Sequence, residues 1–187
     1  MTFDYNQATE QRAFDVIEDR TEAVVQLNIH PGNAGEGGWL TRSKDGQSEG
    51  LDCELTVVEG PHTKKKFWVR LTLDGQSDGH KQAGSISRGV LRAILESARG
   101  IKPADISEAA KKARVAEYAD FDGIRFMCRV GVEPAKGEFR AKNFLAEVIT
   151  PDKKDWHPIE QVAAPRPTSG NGNANANAIV KPQWAHG

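Results

Sequence analysis

Four runs of apolar/polar alternation and a fifth strand-like run, interrupted once by a run of helical period, constrain this chain more than any other feature. Two of them lie in LDCELTVVEGPHTKKKFWVRLTL, residues 51–73, on either side of a Gly-Pro turn. Leu51, Cys53, Leu55 and Val57 alternate with polar neighbours, and so do Phe67, Val69, Leu71 and Leu73. An extended chain sends successive side chains to opposite faces, so each run predicts a strand with one buried face. Residues 22–30 alternate through Ala23, Val25, Leu27 and Ile29. Residues 124–132 do so through Ile124, Phe126, Cys128, Val130 and Val132, and residues 143–150 complete the set.

Between the third and fourth runs the period changes. Ile86, Val90, Leu91, Ile94, Leu95 and Ala98 share one helical stripe, which predicts a helix over 85–98. Ser85 is placed to cap it, Gly100 to stop it, and Gly89 weakens its interior. The alanine-rich stretch 103–118 predicts a second helix, and a short helical turn is expected around Phe14, Val16 and Ile17. Strand, strand, strand, helix, strand, strand predicts a mainly β chain with one or two helices, arranged as a five-stranded OB-like barrel. An α+β sandwich with one covering helix has the same element order. Residues 1–21 read as an N-terminal segment, 22–151 as the OB-like domain, and 152–187 as a flexible tail. Its TSGNGNANANA stretch is low-complexity and expected to be disordered.

The same alternation that defines a core face defines an opposite one. On the third strand that face reads Lys66, Trp68, Arg70; on the fourth, Arg125, Met127, Arg129. The final hairpin adds Phe139, Arg140 and Lys142, and the glycine-rich loop after the first strand carries Trp39, Arg42 and Lys44. Cations beside exposed aromatic rings suit single-stranded nucleic acid, since phosphates need charge and bases need flat surfaces. Lysines beside a turn also protect sheet edges, and Trp68 can equally serve as packing. The 187 residues carry a formal net charge of −1, so any binding of nucleic acid must come from local segregation of charge.

Signatures of catalysis are missing from the sequence. No glycine-rich phosphate loop ends in Gly-Lys-Ser/Thr, the five histidines form no HExxH pair, and the two cysteines, Cys53 and Cys128, form no CxxC. Asp74, Asp78 and His80 read as turn residues rather than cation ligands. We therefore expect no enzyme activity, no metal and no cofactor. The cysteines sit inside apolar runs and read as buried thiols of a reducing compartment. With no apolar run of membrane-spanning length, a cytoplasmic protein without membrane contact is expected.

Three stretches carry a resemblance. SEGLDCELTVVEGPHTKKKFWVRLTL, SISRGVLRAILESARG and FDGIRFMCRVGVEPAKGEFRAKN follow one another in an order similar to that of a phage-encoded family of small proteins. The likeness covers about residues 22–150 and is one of hydrophobic spacing and turns. Members of that family look like OB-fold single-stranded DNA-binding proteins of phage replication and recombination. Two departures stand out: Lys64 or Lys65 replaces the glycine usual in the basic turn, and the tail lacks an acidic tip ending in Phe. The resemblance implies a binder of single-stranded DNA in the (host) cytoplasm, with a replication or recombination protein as a second partner through the tail and Trp184. A homo-oligomer is compatible with it. The residues expected to bind are Lys66, Trp68, Arg70, Arg125, Arg129, Arg140, Lys142, Trp39, Arg42 and Lys44. The alternative is a non-enzymatic protein-interaction or structural phage component using the same sheet face.

Overall fold

Each alternating run forms a strand, and all the ladders are antiparallel. The structure, a computed structural model, describes residues 16–162. In chain order the strands are β1 (Thr21–His30), β2 (Thr41–Arg42), β3 (Ser48–Val57), β4 (Lys66–Gly75), β5 (Arg125–Glu133) and β6 (Lys142–Val148). β4 pairs along β3 from Ser48 to Thr56. β1 and the short β2 therefore share the other side of β3, at Asp52–Val57 and Glu49–Gly50 respectively. β5 pairs with the remaining side of β1, and β6 with β5. The order of the long strands is β4-β3-β1-β5-β6.

The two ends of that order, β4 and β6, approach each other, which curls the sheet. No ladder joins them among the described residues, so the sheet stays unclosed where the strand count predicted a barrel. Gly50 sits where β2, β3 and β4 meet. A Cβ there would lie 2.4 Å from the Leu71 carbonyl oxygen, so only glycine lets the strands come this close. A bulge in the β3–β4 ladder falls at the same point, between Glu49 and Gly50.

The main helix, α1 (Asp78–Arg99), starts seven residues earlier than the apolar stripe indicates. Ser77, not Ser85, is its N-cap and accepts from the His80 backbone N–H. The first two turns are polar, which is why periodicity missed them. Gly100 ends the helix in the left-handed conformation (φ 68°), as expected. Leu91, Ile94, Leu95 and Ala98 enter the core, whereas Ile86 is 62% exposed and does not belong to the buried stripe. The second expected helix shrinks to α2 (Glu108–Ala113). Arg114 binds Glu96, a carboxylate that is itself buried on α1, and also the carbonyls of Lys102 and Asp105, so hydrogen bonds fold this connection onto α1 in place of helix.

Val25, Leu27, Cys53, Leu55, Phe67, Phe126 and Val130 form the centre of the core, with α1 covering one end. Of the expected N-terminal helical turn, Phe14 lies outside the described residues. Val16 and Ile17 are non-helical; Ile17 is buried, and its backbone N–H and carbonyl both bond the Asn143 side-chain amide. A second, smaller cluster lies on the opposite face of the sheet: Val24, Met127 and Ile149, covered by Trp156 and Ile159. Residues 152–162, assigned by composition to the tail, thus lie along α1 and β5. Trp156 Nε1 donates to the Ser97 carbonyl at 3.1 Å. The Gln161 amide accepts from the Arg125 N–H at 3.0 Å and donates to its carbonyl at 2.8 Å. The low-complexity stretch and Trp184 lie outside the described residues. Among the described residues, no helix is long and apolar enough to cross a membrane.

Two glycines of α1 make opposite tests of this packing. At Gly84 a Cβ would meet the Leu73 carbonyl oxygen of β4 at 2.5 Å, whereas at Gly89 nothing lies within 4 Å. Gly89→Ala is expected to stabilise the fold by about 0.5–1 kcal/mol through helix propensity. Gly84→Ala is expected to destabilise it by about 1–3 kcal/mol through overpacking, despite the same propensity gain. Urea unfolding of the two variants checks the opposite signs.

Candidate nucleic-acid interface

Strand parity sends Gln26, Asn28 and His30 of β1, Asp52, Glu54 and Thr56 of β3, and Lys66, Trp68 and Arg70 of β4 to the face opposite the core. Pairing then arranges them in rows. His30 stands opposite Asp52, and Asp52 opposite Arg70; Asn28 stands opposite Glu54, and Glu54 opposite Trp68. The next row is Arg125, Gln26, Thr56 and Lys66, across four strands. At a strand spacing of about 4.8 Å this row is roughly 14 Å wide. Lys66, Trp68, Arg70 and Arg125 therefore share one surface.

Trp68 is 56% exposed. Its ring lies 4.8 Å from that of His30, tilted by 46°. β3 separates the strands that carry them, so the indole reaches over β3 and forms a two-ring shelf with the imidazole. Sequence reading missed His30 as a member of this site. The alternation of β1 already put it on the outer face, but only the register puts it against Trp68.

Carboxylates accompany most of the cations. Lys66 Nζ lies 2.7 Å from Glu54 Oε1, and Arg70 Nη1 lies 2.7 Å from Asp52 Oδ1. Arg70 also donates to the Thr41 carbonyl at 3.0 Å, which ties β2 to this corner. Arg42 pairs with Glu49 at 2.7 Å, and Lys142 with Glu133 at 3.0 Å. Among the described residues Lys44, Arg125 and Arg140 have no carboxylate partner; Arg125 Nε makes only a long contact, 3.4 Å, to Gln26 Oε1. The rows are closer to charge balance than the list of cations alone suggests.

Arg129 is separated from this surface. It pairs with Glu22 and reaches Glu147 and Asp155 as well, at 2.9, 2.7 and 3.2 Å. The hydrogen bond to Glu22, with the charges of Glu147 and Asp155, holds its guanidinium even more firmly protonated than usual. Its row on β1 is eight residues from that of His30, roughly 27 Å along the strand. Met127, expected to face outward beside it, does leave the core face but is buried under the 149–159 segment. A concavity of about 420 Å³ next to this corner is walled by Glu22, Glu59 and Asp155 together with His62 and His157. Arg140 and the exposed Phe139 (82%) sit on the β5–β6 hairpin, outside the cross-strand rows of Lys66, Trp68 and Arg70. Trp39 is half-buried against the core, held by a loop in which Leu40 is buried and bridged to Ala34, while Lys44 is exposed in the turn that follows.

Neither cysteine reaches this face. Burial pushes the thiols of Cys53 and Cys128 from an ordinary value of 9.0 up to about 12, with the charges of Asp52 and Asp122 adding to the effect at Cys53. Comparison with known proteins finds no family model that matches the chain and no curated protein that matches it. At pH 8 a thiol so raised is ionised in only about one molecule in ten thousand. Ellman's reagent is therefore expected to find no reactive thiol in the native protein, and both after denaturation. A fast-reacting thiol in the folded state would show that one of these strands opens readily.

Proposed function

We propose that the chain is a single-stranded DNA-binding protein with an OB-type, partly open barrel, acting in phage or mobile-element DNA replication or recombination. One observation carries the reading: Trp68 lies exposed on a sheet face between Lys66 and Arg70, its ring extended by His30. Exposing a tryptophan on an open face forfeits burial worth about 1.5–3 kcal/mol. Stacking a base on it returns a similar amount, about 1–3 kcal/mol. The strand order supports the fold half of the reading. Numbering the five long strands by sequence gives 3-2-1-4-5, with the helix between the third and fourth and the outer strands drawn together. In OB-type domains the face of the second and third strands binds oligonucleotides, and here that face belongs to β3 and β4.

The basic turn adds support for the resemblance. Lys64 has φ 74°, in the left-handed region that glycine occupies without steric cost. Of the two positions, Lys64 and Lys65, at which the similar family usually has glycine, the first is therefore one where the backbone favours it. The ion pairs on the face do not prevent phosphate binding. The Arg70–Asp52 pair, about one-third exposed on both sides, contributes about 0–1 kcal/mol, so a phosphate can replace Asp52 at little cost, whereas Lys66 is held by the mostly buried Glu54 and is harder to draw away.

The near charge balance of the rows favours a second reading, a protein-interaction or structural phage component that buries the same face against a partner. Titration of labelled oligo-dT at two salt concentrations separates the two. For DNA binding, the logarithm of affinity falls with the logarithm of salt by about 0.7 per phosphate contacted. Trp68→Ala is expected to weaken binding by about tenfold or more, with the salt slope unchanged. Lys66→Gln together with Arg70→Gln is expected to make the slope shallower. Absence of binding at low salt by a folded protein rejects the DNA reading in favour of the protein partner.

A further inference from the structure

We propose that His30 makes polyanion binding at the Trp68 face proton-linked, with binding tighter where the imidazole is charged; this rests on the DNA-binding reading above. Glu54 is the hub. Its side chain is only 13% exposed, and its two oxygens face different bases. Oε1 takes the Lys66 ammonium at 2.7 Å, while Oε2 lies 3.9 Å from His30 Nε2. With His30 neutral, Lys66 is, among the described residues, the one cation seen paired with this carboxylate. Drawing Lys66 away toward a phosphate then leaves a mostly buried negative charge uncompensated, and that carries a real cost.

A proton on His30 changes this. The imidazolium sits beside Oε2 and can hold Glu54 in place of Lys66. Its other neighbour is the Trp68 ring at 4.8 Å, a face that attracts a cation. Lys66 is released toward the ligand, and the face gains one positive charge. The remaining charged groups around His30 are engaged with partners of their own. On β3, Asp52 is its cross-strand partner and is held by Arg70 of β4. In the turn before β5, Asp122 accepts from the backbone N–H of Ile29 at 2.8 Å. Beyond Arg70, Arg42 and Glu49 compensate one another. Histidine as a class is the side chain that changes charge between about pH 5 and 8, which sets the range over which the exchange is tested.

The sign follows from linkage. Bound polyanion favours the protonated imidazole, so affinity rises as pH falls through the histidine range and is lost as pH rises. The test is the anisotropy of labelled oligo-dT with the full chain at about pH 6 and about pH 8, at fixed ionic strength. Affinity is expected to be at least about threefold tighter at the lower pH, below the ceiling of about tenfold per pH unit for one proton. His30→Gln is expected to remove the difference between the two pH values, whatever the loss of the second ring costs in affinity at both. His62→Gln, in a different part of the molecule, is expected to keep it. Equal affinity of the parent at both pH values overturns the proposal while leaving DNA binding intact, and so does a His30→Gln variant that still responds to pH. No binding at either pH overturns the DNA reading and this proposal with it.

Discussion

The register of β3 against its two long neighbours is the constraint on which the rest of this structure depends. A shift of one residue in either ladder would turn Leu51, Cys53, Leu55 and Val57 outward and bury Asp52 and Glu54. Burying those carboxylates without their partners costs far more than any local preference could return. The register is also pinned at one end by Gly50, where three strands meet too closely for a side chain. Given that register, His30, Glu54 and Trp68 have no freedom to be anywhere but together.

The outer face of the sheet has two fates. Around Val24 and Met127 it is apolar, and the segment from Ile149 to Ile159 covers it. The Gln161 amide completes this cover by bonding both backbone groups of Arg125, as a neighbouring strand would. Around Trp68 the face is polar at every position but one, and no segment among the described residues covers it. The same sheet is thus a core surface at one end and a candidate contact surface at the other. The switch from Val24 to Gln26 on β1 marks the border.

Charge on the open half is arranged as pairs rather than as a patch. Lys66 with Glu54 and Arg70 with Asp52 are cross-strand neighbours, where opposite charges stabilise the ladder modestly. A ligand bearing phosphates competes with carboxylates for these cations. That competition is decided by small free energies at Arg70 and Asp52, both about one-third exposed, and is costlier at Lys66, whose partner Glu54 is mostly buried. It is also why one histidine proton can matter: it supplies Glu54 with a second cation.

The sequence by itself determined the strands and their inner faces, because alternation of apolar residues forces one side of each strand inward wherever the sheet lies. It also determined where α1 stops, since Gly100 is the residue that accepts a left-handed backbone, and that Lys66, Trp68 and Arg70 share a face. It did not reveal where α1 starts, because Ser77 caps two polar turns that bury nothing apolar. Nor did it separate Arg129 from Arg125, which depends on the β1–β5 register and the carboxylates of Glu22, Glu147 and Asp155, or put Met127 under cover, which depends on where residues 149–159 return. Only the tertiary structure decided which carboxylate meets which cation and which ring meets Trp68. Those contacts are made between strands far apart in the chain, and parity along a strand specifies a face but never the neighbour across the ladder.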